Sequence, residues 1–255
     1  MTLLGSFVIA FSMYSRIPMP RVEWTKERMR YAICFFPLIG VVIGGAVFGL
    51  SILADAVGLG RLAVVCLMTI LPLLISGGIH MDGFLDVTDA RHSYGEREKK
   101  LEILQDPHTG AFAIIGEAVY LLLYGAAVSE LKKEMIPLFA ACFVLERALS
   151  GLSLVCFPMA KKDGLAAQFS QMALKRTVRA VMAIYLIGCA AWLFWWGGLA
   201  GLLCLICAGA TFFGYYRLAV REFGGTTGDL AGHFLQCLER NMALTLALCS
   251  LLIIR

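Results

Sequence analysis

YAICFFPLIGVVIGGAVFGLSILADAV, residues 31–57, is a run of 27 residues with a single charge, Asp55. A helix needs about 20 apolar residues to cross a hydrocarbon core about 30 Å thick, so this run is long enough. Its apolar residues are continuous rather than alternating, which excludes the strand of a membrane barrel. Gly40, Gly44, Gly45 and Gly49 recur at roughly four-residue spacing, a pattern that lets a second helix approach closely. The rest of the chain reads the same way. Hydrophobic residues make up 60% of it and mean hydropathy is +0.80, whereas about half apolar is usual for a soluble domain. The expected fold is all-α: a polytopic integral membrane helical bundle, one domain over residues 1–255.

Outward from this run, further apolar stretches cover 62–79, 111–131, 135–157, 181–196, 199–216 and 242–254, the last short for a crossing. The pair 181–196 and 199–216 forms a hairpin joined at Gly197-Gly198. The opening MTLLGSFVIAFSMYS lacks the basic n-region and cleavage site of a secretory signal, so it is expected to stay as a short or re-entrant helix. The total is about seven transmembrane or partly re-entrant helices. Most of the nine cysteines lie inside these runs and read as small buried hydrophobes. Cys204 and Cys207 have no second pair to complete a zinc site.

A formal charge of +4 is small and carries no message about nucleic acid. Its distribution is informative. Seventeen of the 22 lysines and arginines fall in four loops, 16–30, 80–110, 158–179 and 217–240, which alternate crossings put on one side. The positive-inside rule makes that side cytoplasmic. Arg61, Lys132, Lys133 and Arg255 fall opposite, and Arg147 lies within a span.

The polar centre is GGIHMDGFLDVTDARHSYGEREKKLEILQDPHTGAF, Gly77–Phe112, with seven of the eighteen acids and three of the four histidines. Asp82, Asp86 and Asp89 are spaced i, i+4, i+7, so in a helix their carboxylates share about 60° of arc. Like charges at this spacing repel, and the arrangement makes sense around a cation. Hard oxygen donors without cysteine point to Mg²⁺ or Mn²⁺ rather than zinc. The plainer account is a solvated loop, but no lysine or arginine occurs from Gly77 to Ala90 to mix its signs.

Three other polar groups need a reason. Glu146 and Arg147 interrupt an apolar span at a cost of at least about 2.5 kcal/mol each unless paired or hydrated. Arg147 either pairs internally, with Glu146 or Glu117, or offers its fork to a phosphate. The run EFGGTTGDLAGHF brings Gly225, Thr227, Gly228 and Asp229 together, and glycine-rich backbone can approach an anion. No Lys-Ser or Lys-Thr follows, so it is not a Walker motif. In DPHTGAF, Asp106 and His108 either form the turn that caps the next helix or contact metal and phosphate. The offset from Gly77-Gly78 to Asp82 recurs from Gly224-Gly225 to Asp229, an echo for which chance is sufficient.

Taken in order, SRIPMP, GGIHMDGFLDVTDA, REKKLEILQDPHTGAF, ERALSG and FGGTTGD resemble the cobalamin synthase family, the adenosylcobinamide-GDP ribazoletransferases of corrinoid biosynthesis. The second motif is the most specific, matching at Gly77, Gly78, His80, Asp82, Gly83, Asp86 and Asp89. Departures at Ala90 and at His108-Thr109 remove no acid, but they weaken the expectation of a phosphate contact by His108. The resemblance implies a Mg²⁺-dependent multi-pass enzyme of the bacterial or archaeal cytoplasmic (inner) membrane, its site facing the cytoplasm. It would join adenosylcobinamide-GDP to α-ribazole or its 5′-phosphate and release GMP. Asp82, Asp86 and Asp89 would hold the metal, with His80 and Asp106 in support. Arg147 and the loop 224–229 would bind phosphate, and Arg16 the leaving nucleotide. The bilayer and a second copy of the chain are the other expected partners.

The sequence admits two other readings. A CDP-alcohol phosphotransferase also gathers aspartates around metal beside membrane helices, but Leu85-Asp86 stands where its motif has Ala-Arg. A transporter would put Glu117, Glu146 and Arg147 in a relay at the midplane, whereas most acids here lie toward one face.

Overall fold

The computed structural model describes residues 2–252; Met1 and residues 253–255, including the end of the last apolar run and Arg255, lie outside the described residues. The described chain is all-α, with eleven helices. They are α1 (Thr2–Tyr14), α2 (Lys26–Met29), α3 (Phe36–Val57), α4 (Arg61–Ser76), α5 (Ile79–His92), α6 (Arg97–Ile103), α7 (Ala111–Glu130), α8 (Ile136–Cys156), α9 (Leu165–Met172), α10 (Lys175–Leu218) and α11 (Gly228–Leu252). A π-helical turn, Ala219–Phe223, extends the end of α10. By length and composition four stretches can cross a membrane: Ala32–Val57, Ala111–Glu130, Lys133–Cys156 and Lys175–Phe223. A fifth is gained if α4 and α5 count as one broken span.

Two bends set the architecture. Gly77 and Gly78 both take left-handed φ, 71° and 80°, which costs other residues about 1 kcal/mol or more. They turn α5 by 95° from α4. The acidic helix therefore leaves the direction of the apolar one. The second bend is at Gly198, with φ 50° and ψ −122°. A Cβ on Gly201 would stand 3.2 Å from the Leu193 Cα, although eight residues of straight helix rise about 12 Å. The 49 residues from Lys175 to Phe223 thus fold back as two antiparallel arms, as the glycine pair in the sequence implied.

The glycines of α3 divide. Gly40 and Gly44 are buried against α8, where a Cβ would meet the Val144 Cα at 2.8 Å and the Ala140 Cα at 3.2 Å; Gly45 and Gly49 have nothing within 4 Å. Four-residue spacing named the packing stripe, but the adjacent pair belongs to a second face. α8 and α11 bury more residues than any other described helix and form the centre of the bundle. All nine cysteines are free, five of them buried, as their apolar surroundings required.

The interior also holds charge. Glu146 and Arg147 on α8 are fully buried and paired with each other. Arg147 Nη1 donates to the Phe143 carbonyl at 3.1 Å, and its guanidinium lies 6.0 Å from the Phe36 ring. Glu239 of α11, also buried, is within electrostatic reach of the pair. Of the two accounts open for Arg147, internal pairing describes its contacts, and the partner is Glu146.

Candidate active site

α5 and α11 meet where neither has side chains to hold them apart. A Cβ on Gly83 would stand 2.7 Å from the Asp229 carbonyl oxygen, and one on Gly232 would stand 3.1 Å from the His80 carbonyl oxygen. The crossing sets Asp229, in the first turn of α11, against Asp82, in the first turn of α5. The two Gly-Gly-to-Asp segments noted in the sequence therefore converge in space.

Asp82, Asp86 and Asp89 all fall on α5, the first exposed and the others half-buried. Partial burial raises the Asp86 carboxyl from 3.8 to about 7, and Asp82, Asp229 and Asp89 add to the rise. Four carboxylates thus feel one another across the crossing. Asp229 is raised as well, chiefly by burial, while its own amide, Thr227 and Lys161 pull the other way. Asp89 lies against Gly110, whose missing side chain makes the room.

A cavity of about 520 Å³ opens over the junction. Its lining includes His80 and Asp82 from α5, Thr226 and Thr227 from the loop before α11, Gly228 and Asp229 from its first turn, Ser150 and Leu154 from α8, and Lys161 from the loop after α8. Lys161 is the one lysine or arginine among the described residues that line it. The loop is pinned: Thr226 N donates to the Pro158 carbonyl at 2.8 Å, and Ala160 N donates to the Thr226 carbonyl at 2.9 Å. A Cβ on Gly225 would stand 2.6 Å from that Pro158 oxygen, so only glycine fits. Thr227 Oγ1 accepts from Leu230 N at 3.1 Å and caps α11. Thr226 Oγ1 instead bonds the Tyr215 hydroxyl.

His80 forms part of the wall, its ring 5.7 Å from Phe36 and 6.3 Å from Tyr14. Its Nε2 is buried without a partner. Burial, and then the Arg147 charge, hold its pKa well below the ordinary histidine value, so the ring is neutral.

Other residues singled out in the sequence lie around this centre rather than in it. Arg16 lies across Gly77 at the bend, its Cγ 2.7 Å from where a Cβ would be, and its amide donates to the Ile75 carbonyl at 2.8 Å. Asp106 Oδ1 accepts from the His108 amide at 2.9 Å and sits 2.7 Å from its Nδ1. Those bonds lower the Asp106 pKa, and both residues are exposed outside the cavity. Arg147 does not line it either. Sequence reasoning missed Lys161, which it counted only toward topology, and Ser150, the serine of ERALSG.

The donor set suits a hard cation. The acids present carboxylate oxygens from one helix face and one helix start, and their mutual repulsion is what a cation would relieve. Among the described residues no group of three or more His, Cys, Asp or Glu side chains is placed to hold a metal ion together. Mg²⁺ commonly uses one or two carboxylates plus substrate phosphates, so it does not require a group of three protein ligands.

Comparison with known proteins gives one consistent result. The family model described as cobalamin-5-phosphate synthase matches residues 6–248. The adenosylcobinamide-GDP ribazoletransferase of Lachnoclostridium phytofermentans is 50% identical over 232 residues, covering 91% of this chain and 89% of that protein. The same enzyme of Pseudomonas savastanoi pv. phaseolicola is 35% identical over 237 residues, 91% and 93% of the two chains. No solved structure matches. With a family match over nearly the full length, and close relatives that cover both chains almost end to end, the chain belongs to the cobalamin-5-phosphate synthase family.

Proposed function

We propose that the chain is an adenosylcobinamide-GDP ribazoletransferase, an enzyme of nucleotide-loop assembly in cobalamin biosynthesis, working at the α5/α11 junction. Family membership supports the activity and removes the alcohol phosphotransferase and transporter readings. The observation that carries the site is the crossing at Gly83 and Gly232, which brings four carboxylates within electrostatic reach of one another, two of them, Asp82 and Asp229, in the wall of a cavity that Lys161 also lines.

The reaction forms a bond between the ribazole hydroxyl oxygen and the phosphorus on the corrinoid's aminopropanol arm. It breaks the diphosphate bond, and GMP leaves with the electron pair. Asp82, Asp86 and Asp89, with Asp229 opposite, are the residues that would hold Mg²⁺; Mn²⁺ suits the same oxygens. When bound there, such a cation would supply neutralisation of charge on the diphosphate and on the leaving oxygen. Lys161 supplies the fixed positive charge for a phosphate, and the loop 224–229 brings backbone close to it. The carboxylate of Asp82 or Asp229 accepts the hydroxyl proton. Leu154 and Phe36 give the cavity an apolar wall that limits water, and Arg16 reaches the leaving nucleotide from the bend. Arg147 acts from below, holding the floor through Glu146 and Phe36.

The topology proposed is about seven crossings: α3, α4, α7, α8, the two arms of α10, and α11, with α1 re-entrant and the cavity toward the cytoplasm. The test is purified protein in liposomes with adenosylcobinamide-GDP and α-ribazole, following GMP and adenosylcobalamin. Both products should form in equal amounts, and Asp82→Ala should form neither while remaining in the membrane fraction. Full turnover in Asp82→Ala would move the site elsewhere.

A further inference from the structure

Arg91, at the end of the acidic helix, borders a second concavity of about 360 Å³, lined also by Gly214, Arg217, Leu218, Arg221 and Glu222. Among the described residues the only carboxylate in its lining is Glu222, and it is already shared. Its Oε2 accepts from Lys100 Nζ at 2.8 Å, and its Oε1 lies 3.6 Å from Arg91 Nε. Among the described residues no carboxylate pairs with Arg217 or Arg221. Three guanidinium groups and an ammonium therefore meet one negative charge. Arg217 lies 5.7 Å over the Phe213 ring. Phe213 is 60% exposed and Tyr216 41% exposed on the same arm of α10, so the groove begins where an apolar helix surface ends.

We propose that this groove binds a phosphate diester, the headgroup phosphate of an anionic phospholipid. Arginine forks match phosphate oxygens bidentately, and basic pockets at the cytoplasmic ends of membrane helices suit anionic headgroups. The adjoining outward-facing Phe213 and Tyr216 give the acyl chains an apolar surface to lie along. Free phosphate would use the same forks but not that surface. Snorkelling would account for single arginines at a helix end. It does not account for three that face one groove from three elements, α5, α10 and a π turn, the last a local distortion common at functional sites.

The position gives the ligand a consequence. Arg91 is on α5, two residues beyond Asp89, and Arg221 and Glu222 lead directly into the loop 224–229. A bound phosphate would clamp together the two segments that carry the aspartates, whatever reaction they perform.

The experiment compares unfolding temperatures in nanodiscs of neutral phosphatidylcholine, in nanodiscs with added phosphatidylglycerol, and in the neutral discs with inorganic phosphate. The double variant Arg217→Gln/Arg221→Gln is set against Arg176→Gln/Arg179→Gln, which alters two basic residues of another loop. Phosphatidylglycerol should raise the wild-type and control midpoints by about 2–4 °C and leave the groove variant unmoved. Native mass spectrometry should show phosphatidylglycerol retained by wild type and lost from that variant. A rise with inorganic phosphate alone, absent in the variant, would keep the phosphate site but replace lipid by a soluble source. Equal rises in the variant and wild type, or none in any protein, would overturn the proposal.

Discussion

Two groups of charge interrupt this apolar chain, and the fold treats them in opposite ways. On α5 and the start of α11, Asp82, Asp86, Asp89 and Asp229 lie close enough to repel, and among the described residues Lys161 is the one lysine or arginine that shares the cavity wall with Asp82 and Asp229. In the interior, Glu146 is paired with Arg147 and both are sealed from solvent. Charge left uncompensated at an open site is available to a ligand. Charge already compensated in the interior holds helices in place, and deleting one partner strands the other. Activity and stability should therefore separate between the two groups.

The largest expected effect is on turnover. Asp82→Ala should lower it on the order of 10³-fold or more, with the unfolding midpoint in detergent unchanged or raised, because a repelling charge has gone. A fall in stability equal to the fall in activity would erase the distinction between the groups.

Next comes the interior pair. Arg147→Ala should destabilise by about 3–5 kcal/mol, leaving Glu146 uncompensated, and Glu146→Gln/Arg147→Met should recover much of that loss. Thermal unfolding reads both. If the single variant is as stable as wild type, Arg147 is not a structural residue and its assignment as a phosphate ligand returns.

Lys161→Ala should raise the KM for a phosphate-bearing substrate about tenfold, the equivalent of about 1.4 kcal/mol, with Lys161→Arg retaining part of the affinity. Steady-state kinetics with α-ribazole and with its 5′-phosphate tells which phosphate the lysine meets. An unchanged KM for both substrates and for the corrinoid nucleotide would leave Lys161 as a loop anchor through the Leu101 carbonyl.

The last effect concerns pH. Asp86 holds its proton more tightly in the folded protein, about 7 against 3.8, so its contribution to stability is full below pH 4 and declines as pH rises to 7. The metal-free protein should unfold at lower temperature at pH 8 than at pH 5, Asp86→Asn should flatten that slope, and Mg²⁺ should recover more stability at pH 8. An identical slope in Asp86→Asn would assign the effect to other groups.

The same contrast marks what the sequence could convey. The stripe on α5 was legible because helical spacing alone puts three aspartates on one face, and the Gly-Gly bends were legible because few other residues take left-handed φ. Asp229 was named for the glycines around it, but its meeting with Asp82 depends on Gly83 and Gly232 touching across a large chain separation. No local pattern encodes that. Arg147 showed in the sequence as a charge needing a partner, and two accounts stood open until burial beside Glu146 was seen. Lys161 was one of five basic residues in a loop, distinguished from them only by the pairing of Pro158 and Ala160 with Thr226. Local geometry was readable; convergence of distant segments was not.

The central claim is that the carboxylates of the α5/α11 junction work through a divalent cation. The direct measurement is turnover of reconstituted wild type and Asp86→Asn against Mg²⁺ concentration, after removal of metal with EDTA. Wild type should form neither GMP nor adenosylcobalamin without metal and regain both with Mg²⁺, and Asp86→Asn should need a markedly higher Mg²⁺ concentration for half-maximal rate. Full product formation in excess EDTA, or identical Mg²⁺ curves for the two proteins, would contradict it.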